Sequence, residues 1–211
     1  MPDLALEVES ARAVEHAAAP CLAVGLRISN RPEAEEIASI SLQCQVRIAP
    51  ERRRYSQEEQ EGLRELFGAP EQWSRTVTSF LWTHAQVVVP AFSGSCAAEL
   101  PVPCTYDFDV AAAKYFHALR DGEAPVLLLF SGTVFYRAAG GALQVSPVPW
   151  TKEAAFRLPV RVWKELMERW YPNSAVLRLR RDVFDRLLRF KVERGIATFD
   201  QAVEALLERG G

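Results

Sequence analysis

The stretch CTYDFDVAAAKYFHAL, Cys104 to Leu119, brings a thiol, two tyrosines, two aspartates, a lysine and a histidine within sixteen residues. Residues of these types could do nucleophilic chemistry, with Cys104 activated by His117 or by His84 from another segment, because such partners need be adjacent only in space. The spacing favours a different reading. Cys104, Tyr106 and Phe108 alternate with Thr105 and Asp107, the pattern of a strand with one buried face. Asp109 then stands where a carboxylate accepts from the free amides of a first helical turn. In VAAAKYFHAL, helical spacing gathers Ala112, Tyr115, Phe116 and Leu119 on one side and leaves Lys114 and His117 on the other, and Gly122 supplies a stop. The stretch resolves into core, cap and exposed face, with Asp107, Lys114 and His117 as surface contacts for a partner.

No other segment strengthens a catalytic reading. The chain has no nucleophile elbow, no glycine-rich phosphate loop and no HExxH helix. Cys21, Cys44, Cys96 and Cys104 form no CxxC or CxxxC pair, and no Cys or His pair has the spacing of a zinc, nickel or iron-sulfur ligand set. We therefore expect no metal, no cofactor and no catalysis, with a Cys/His-dependent enzyme as the second alternative.

Composition sets the frame for these residues. A chain of 211 residues with 49% hydrophobic residues can bury a full core without disulfides. The first residues, MPDLALEVESARAVEH, are acidic and lack the continuous apolar region of a signal peptide. The longest apolar run, 124–130, is too short to span a bilayer, so we expect a cytoplasmic protein with reduced thiols and no membrane association. The net charge of −2 divides unevenly: −6 over residues 1–156, +6 over 157–194 and −2 over 195–211. A basic segment on an acidic body suits an anionic partner, and it equally suits a solvated helix face.

Up to about Val160 the dominant period is two. Leu22, Val24, Leu26 and Ile28 alternate with small or polar residues, as do Leu42, Cys44, Val46 and Ile48 with Gln43, Gln45 and Arg47. SRTVTSFLWTHAQVVVPAF reads as strand, with His84 sharing the parity of Phe80 and Trp82 and hence packed or at an edge. Residues 98–108 form a further candidate strand, confined by Pro101 and Pro103 to an edge or irregular position. Gly140 and Gly141 mark the turn of a hairpin between APVLLLFSGTVFYR and ALQVSPVPW, and Gly132 marks a bulge or a close backbone approach. One helix interrupts the strands, opened by the capping box Ser56–Glu59 and closed by Gly68. The expected fold is α+β: an antiparallel, immunoglobulin-like β-sandwich of about eight strands with one inserted helix and short helices over residues 1–158, then a helical segment over 159–211.

The tail opens with an amphipathic helix carrying Trp163, Leu166, Met167 and Trp170 on one stripe and ending before Pro172. Trp163 and Trp170 suit a partner's anchors or packing within the chain. Next comes SAVLRLRRDVFDRLLRFKVERGIATFDQAVEALLERGG. Val176 to Arg180 alternates like a short strand, Asp182 can cap a helix that Gly195 ends, and Thr198 with Gln201 opens another. Strand, helix, turn, helix: this part resembles the ribbon-helix-helix family of DNA-binding proteins, in which two chains pair their strands in the major groove. The resemblance implies a homodimer, with Val176, Arg178 and Arg180 facing bases and the amides after Thr198 holding a phosphate. The plain alternative is a strand joining the body's sheet while both helices cover an open face.

SFLWTHAQVVVPAF, CTYDFDVAAAKYFHAL, VLLLFSGTVFY, VPW and RWYPNSAVLRLRRDVFDRLLRFK are together similar to an uncharacterised bacterial family, a domain of unknown function. That resemblance implies genes near those of nickel-iron hydrogenases and their maturation factors, and so an accessory role there. The expected function is a protein-interaction or accessory module with a protein partner that is hydrogenase-related on this resemblance; the alternative is a DNA-binding regulator.

Overall fold

The structure is a computed structural model and describes residues 2–104, 110–138, 140–174, 177 and 179–210. By their contacts the residues fall into two compact units, Met1–Asn173 and Ser174–Gly211. The sequence boundary at 158/159 gives way to one at 173/174, because the helix beginning at Val160 buries its apolar stripe in the first unit's core. Among the described residues no helix is long and apolar enough to cross a membrane.

The first unit holds two antiparallel sheets. The three-stranded sheet has β1 (Asp3–Ala13), β2 (Cys21–Arg31) and β5 (Ser95–Pro103) in the order β1-β2-β5. The five-stranded sheet has β4 (Phe80–Val89), β3 (Ile37–Ile48) and β6 (Glu123–Arg137) side by side, with β7 (Leu143–Pro147) and β8 (Glu153–Pro159) both on the far side of β6. At the two sheet margins β5 lies against β4 and β1 against β8. β5 is an edge strand, as Pro101 and Pro103 require, since neither can donate to a further ladder.

The alternation read in the sequence is the alternation seen. Leu22, Val24, Leu26 and Ile28 of β2 and Leu42, Cys44, Val46 and Ile48 of β3 all enter one core, each large aliphatic contributing roughly 1.5–3 kcal/mol. The β6–β7 hairpin turns through Gly141 at φ 79°, with Arg137 opposite Leu143. β7 and β8 share one long strand: β7 pairs with Thr133–Arg137 and β8 with Glu123–Leu129. β8 alternates weakly, Ala154, Phe156 and Leu158 facing the core and Glu153, Ala155 and Arg157 facing out.

Gly132 is the close approach. A Cβ there would lie 2.1 Å from the Ser41 carbonyl oxygen, and its φ of 139° is open to glycine alone.

Helices close the unit. α1 (Gln57–Phe67) carries the expected capping box: Glu59 N donates to Ser56 Oγ at 3.2 Å and Ser56 N to Glu59 Oε2 at 3.1 Å, and Gly68 ends it at φ 76°. α2 (Trp73–Thr76) is a single turn, and α3 (Val110–Ala118) and α4 (Val160–Trp170) bring Tyr115, Phe116, Trp163 and Leu166 into the core.

The second unit holds α5 (Arg181–Glu193) and α6 (Phe199–Gly210), stopped and restarted as expected by Gly195 at φ 64° and by Gln201 N donating to Thr198 Oγ1 at 3.2 Å. The N-cap of α5 is Arg180, and Asp182 lies inside the first turn, ion-paired to Arg180 at 3.0 Å. Of the expected strand 176–180, Leu177, Leu179 and Arg180 are described and lie in no strand, while Val176 and Arg178 fall outside the described residues.

Candidate protein-interaction surface

The outer face of the five-stranded sheet is set by register. Gln43 of β3 pairs with Gln86 of β4 and with Ser131 of β6, and Gln45 pairs with His84 and with Leu129. Alternation sends these side chains away from the core that Cys44, Ala85 and Phe130 fill. Gln43, Gln45, His84, Gln86 and Ser131 line a shallow concavity of about 490 Å³. Val88 beyond this belt is exposed, and Leu127, Leu129 and Phe135 are half-buried.

His84 shares its spacing parity with Trp82, yet Trp82 is buried and His84 exposed. Val46 pairs with Thr83 and Arg47 with Leu81, so Trp82 is the extra residue of a β-bulge and reverses the facing of the strand residues beyond it. Parity alone could not locate that reversal.

Beside Ser131 runs the connection between β7 and β8. Val148 N donates to Gly132 O at 2.9 Å and Phe130 N to Lys152 O at 2.9 Å, which fixes the β7–β8 connection beside Ser131. Trp150 lies in that connection and is 88% exposed. An indole this exposed gains nothing for the fold and offers a partner a large rigid apolar surface. The amides of Gln43, Gln45 and Gln86 each donate and accept, so the belt can meet peptide groups of either polarity without a net charge of its own.

The residues singled out in the sequence stand elsewhere. Asp107 lies outside the described residues, as does the Asp109 cap. Lys114 is exposed on α3 and ion-paired to Glu65 of α1, so it ties two helices together. His117 is exposed on α3 and sets its ring edge-on to Trp163, centroids 5.1 Å apart; partial burial, with the charge of Lys164 second, lowers its pKa. Trp163 is 2% exposed and stacks on Phe116 at 4.9 Å, so it is core and presents no anchor. Trp170 is half-buried against the same core, and among the described residues its buried Nε1 has no hydrogen-bond partner. Arg180 and Thr198 act at helix starts.

Three of the four thiols tend away from reactivity. Burial raises the pKa of Cys21 and Cys96 and pushes Cys44 up to about 12, whereas a nucleophilic cysteine needs a lowered one. Cys104 is buried and donates to Val102 O at 3.5 Å. Among the described residues no three His, Cys, Asp or Glu side chains converge as a metal site would need.

A polar network locks α1 to the loop after α3. Arg53 donates to Glu59 Oε1 at 2.6 Å and to the carbonyls of Asp121 and Glu123 at 2.8 Å, and Arg120 N donates to Glu59 Oε1 at 2.9 Å. Tyr55 donates to Pro50 O at 2.7 Å and meets Tyr115 hydroxyl to hydroxyl at 3.0 Å; burial raises the pKa of both phenols. Every one of these bonds joins elements of the fold.

No curated protein matches the chain. Among solved structures it is similar to a Bordetella pertussis protein described provisionally as ApaA, at 13% identity over 74% of this chain and 93% of that one. The TM-score of that match is 0.24, too low to carry an argument about this fold. The family comparison covers every residue, 1–211, and the chain belongs to DUF6084, a family of unknown function.

Proposed function

We propose that this chain is a non-catalytic protein-interaction module that docks a partner on the outer face of its five-stranded sheet. The observation that carries the reading is Trp150, 88% exposed in the β7–β8 connection whose backbone is bonded to β6 on either side of Ser131. A partner segment laid along that belt would bond to the glutamine amides and seat the indole in an apolar pocket of its own. The raised pKa values of Cys21, Cys44 and Cys96 count against those three thiols as nucleophiles. We read the sheets as an immunoglobulin-like sandwich, the location as cytoplasmic, and a hydrogenase or one of its maturation factors as the partner class that the family resemblance implies.

Native co-purification with tagged wild-type chain and with Trp150→Ala tests it. A defined protein that survives nuclease treatment, and whose recovery falls at least tenfold in the variant, supports the reading. A partner retained in full by Trp150→Ala rules this surface out. Recovery of nucleic acid alone favours the regulator built on the C-terminal helices.

A further inference from the structure

β7 is the open margin of the two sheets. β5 lies against β4 and β1 against β8, whereas β7 pairs with β6 on one side and, among the described residues, with no strand on the other. The bonding pattern says which of its backbone groups stand open. Val148 N donates to Gly132 O at 2.9 Å and Ala138 N to Ala142 O at 3.0 Å, so Ala142, Gln144, Ser146 and Val148 are the residues bonded to β6 in this ladder. Leu143, Val145 and Pro147 alternate with them, opposite Arg137, Phe135 and Thr133, and turn their backbone groups away from β6. The margin therefore presents the amides of Leu143 and Val145 and the carbonyls of Leu143, Val145 and Pro147.

Edge strands are usually blunted by charges, bulges or prolines. At the two residues that offer both groups β7 has none of these: its register with β6 is unbroken, and Leu143 and Val145 are 58% and 60% exposed. Pro147 withholds a donor only at the strand's end. The Leu143 and Val145 side chains share the outer face with half-buried Phe135, because Val134 and Tyr136 on either side of it enter the core. Main-chain donors and acceptors recurring at every second residue are matched by another extended main chain, and apolar neighbours on one face call for an apolar side chain at every second position of it. We infer that β7 takes an extended segment of the partner protein as the sheet's next strand, bonded to Leu143 and Val145, with alternate apolar side chains set on the Leu143–Val145–Phe135 patch. This rests on the reading of the outer face as the docking surface and supplies the margin at which the partner's main chain is held. The added strand stops at Leu143, since Ala142 O and Gly141 N are already bonded to Ala138 in the turn, and it runs the other way toward Trp150, three residues beyond Pro147.

Display of random peptides of about twelve residues against the full chain supplies the probe, and a synthetic copy of the most enriched one is the ligand measured. Enriched sequences should alternate apolar residues. Val145→Pro should weaken binding at least tenfold and Val145→Ala much less, because proline removes an outward amide that β6 does not use. On the unaltered chain, N-methylation of one alternate set of peptide amides should abolish binding while the other set leaves it nearly unchanged, a difference that misfolding cannot produce. Binding that depends on Trp150 but is indifferent to Val145→Pro and to both methylated sets overturns the added strand and leaves the docking face standing; binding indifferent to Trp150→Ala as well overturns both. Enrichment of no peptide overturns the inference, as does a dimer in sedimentation velocity that Val145→Pro abolishes, which would give the margin to a second copy of the chain.

Discussion

Arg53 Nη2 lies 2.6 Å from Glu59 Oε1, with the two side chains only 11% and 6% exposed, and this nearly buried ion pair is bonded onward to the loop after α3 through the Asp121 and Glu123 carbonyls and Arg120 N. Glu59 is also half of the capping box that starts α1. One carboxylate thus caps its own helix, accepts from Arg120 N and balances the guanidinium. Removing one partner leaves an uncompensated charge in the interior, which is costlier than never having the pair. Arg53→Ala should destabilise the first unit by about 3–5 kcal/mol, read as a lower urea midpoint with unchanged slope.

Phe116 and Trp163 stack at 4.9 Å with ring planes 14° apart, joining α3 to α4. Trp163→Ala should cost about 3–5 kcal/mol, the scale of a deleted core aromatic. Trp170→Ala, at a half-buried site, should cost less.

Gly132→Ala would drive a methyl into the Ser41 carbonyl at the centre of the β3–β6 ladder. The expected loss is about 3 kcal/mol or more, or no soluble protein at all. Gly140→Ala meets nothing within 4 Å and serves as the matched control. Calorimetric melting of the two variants makes the comparison.

His117 has a lowered pKa because partial burial, with Lys164 second, disfavours its charged form. The unfolded chain therefore binds the proton more readily than the folded one, and this contribution to stability is present above about pH 6.5 and lost as pH falls toward the lowered native value. Denaturation at successive pH values should show stability rising with pH in that window, and His117→Gln should flatten the rise. An unchanged profile would remove His117 from the cause.

The sequence made the sheets legible wherever burial follows strict alternation, as in β2 and β3, and the helix ends wherever a cap or a glycine is specific, as at Ser56, Gly68, Gly195 and Thr198. It hid what depends on pairing. The bulge at Trp82 turns His84 outward, and only the β3–β4 register exposes it. β8 alternates over only seven residues, too short and too small in its side chains to stand out, and its place beside β6 is set by pairing. The site stayed hidden for a related reason: glutamines and one tryptophan carry no motif, and Trp150 stands out only because nothing covers it. The tryptophans chosen by helical spacing, Trp163 and Trp170, were instead drawn into the core and its margin by that same amphipathic stripe.

The most direct measurement places a photo-crosslinking benzophenone residue at position 150, and in parallel at position 140, and irradiates native extract. Docking on the sheet face predicts a discrete protein adduct from position 150 and none from position 140, with Gln45→Ala reducing the first. Efficient recovery of the same partner by Trp150→Ala, with no adduct at 150, would contradict it.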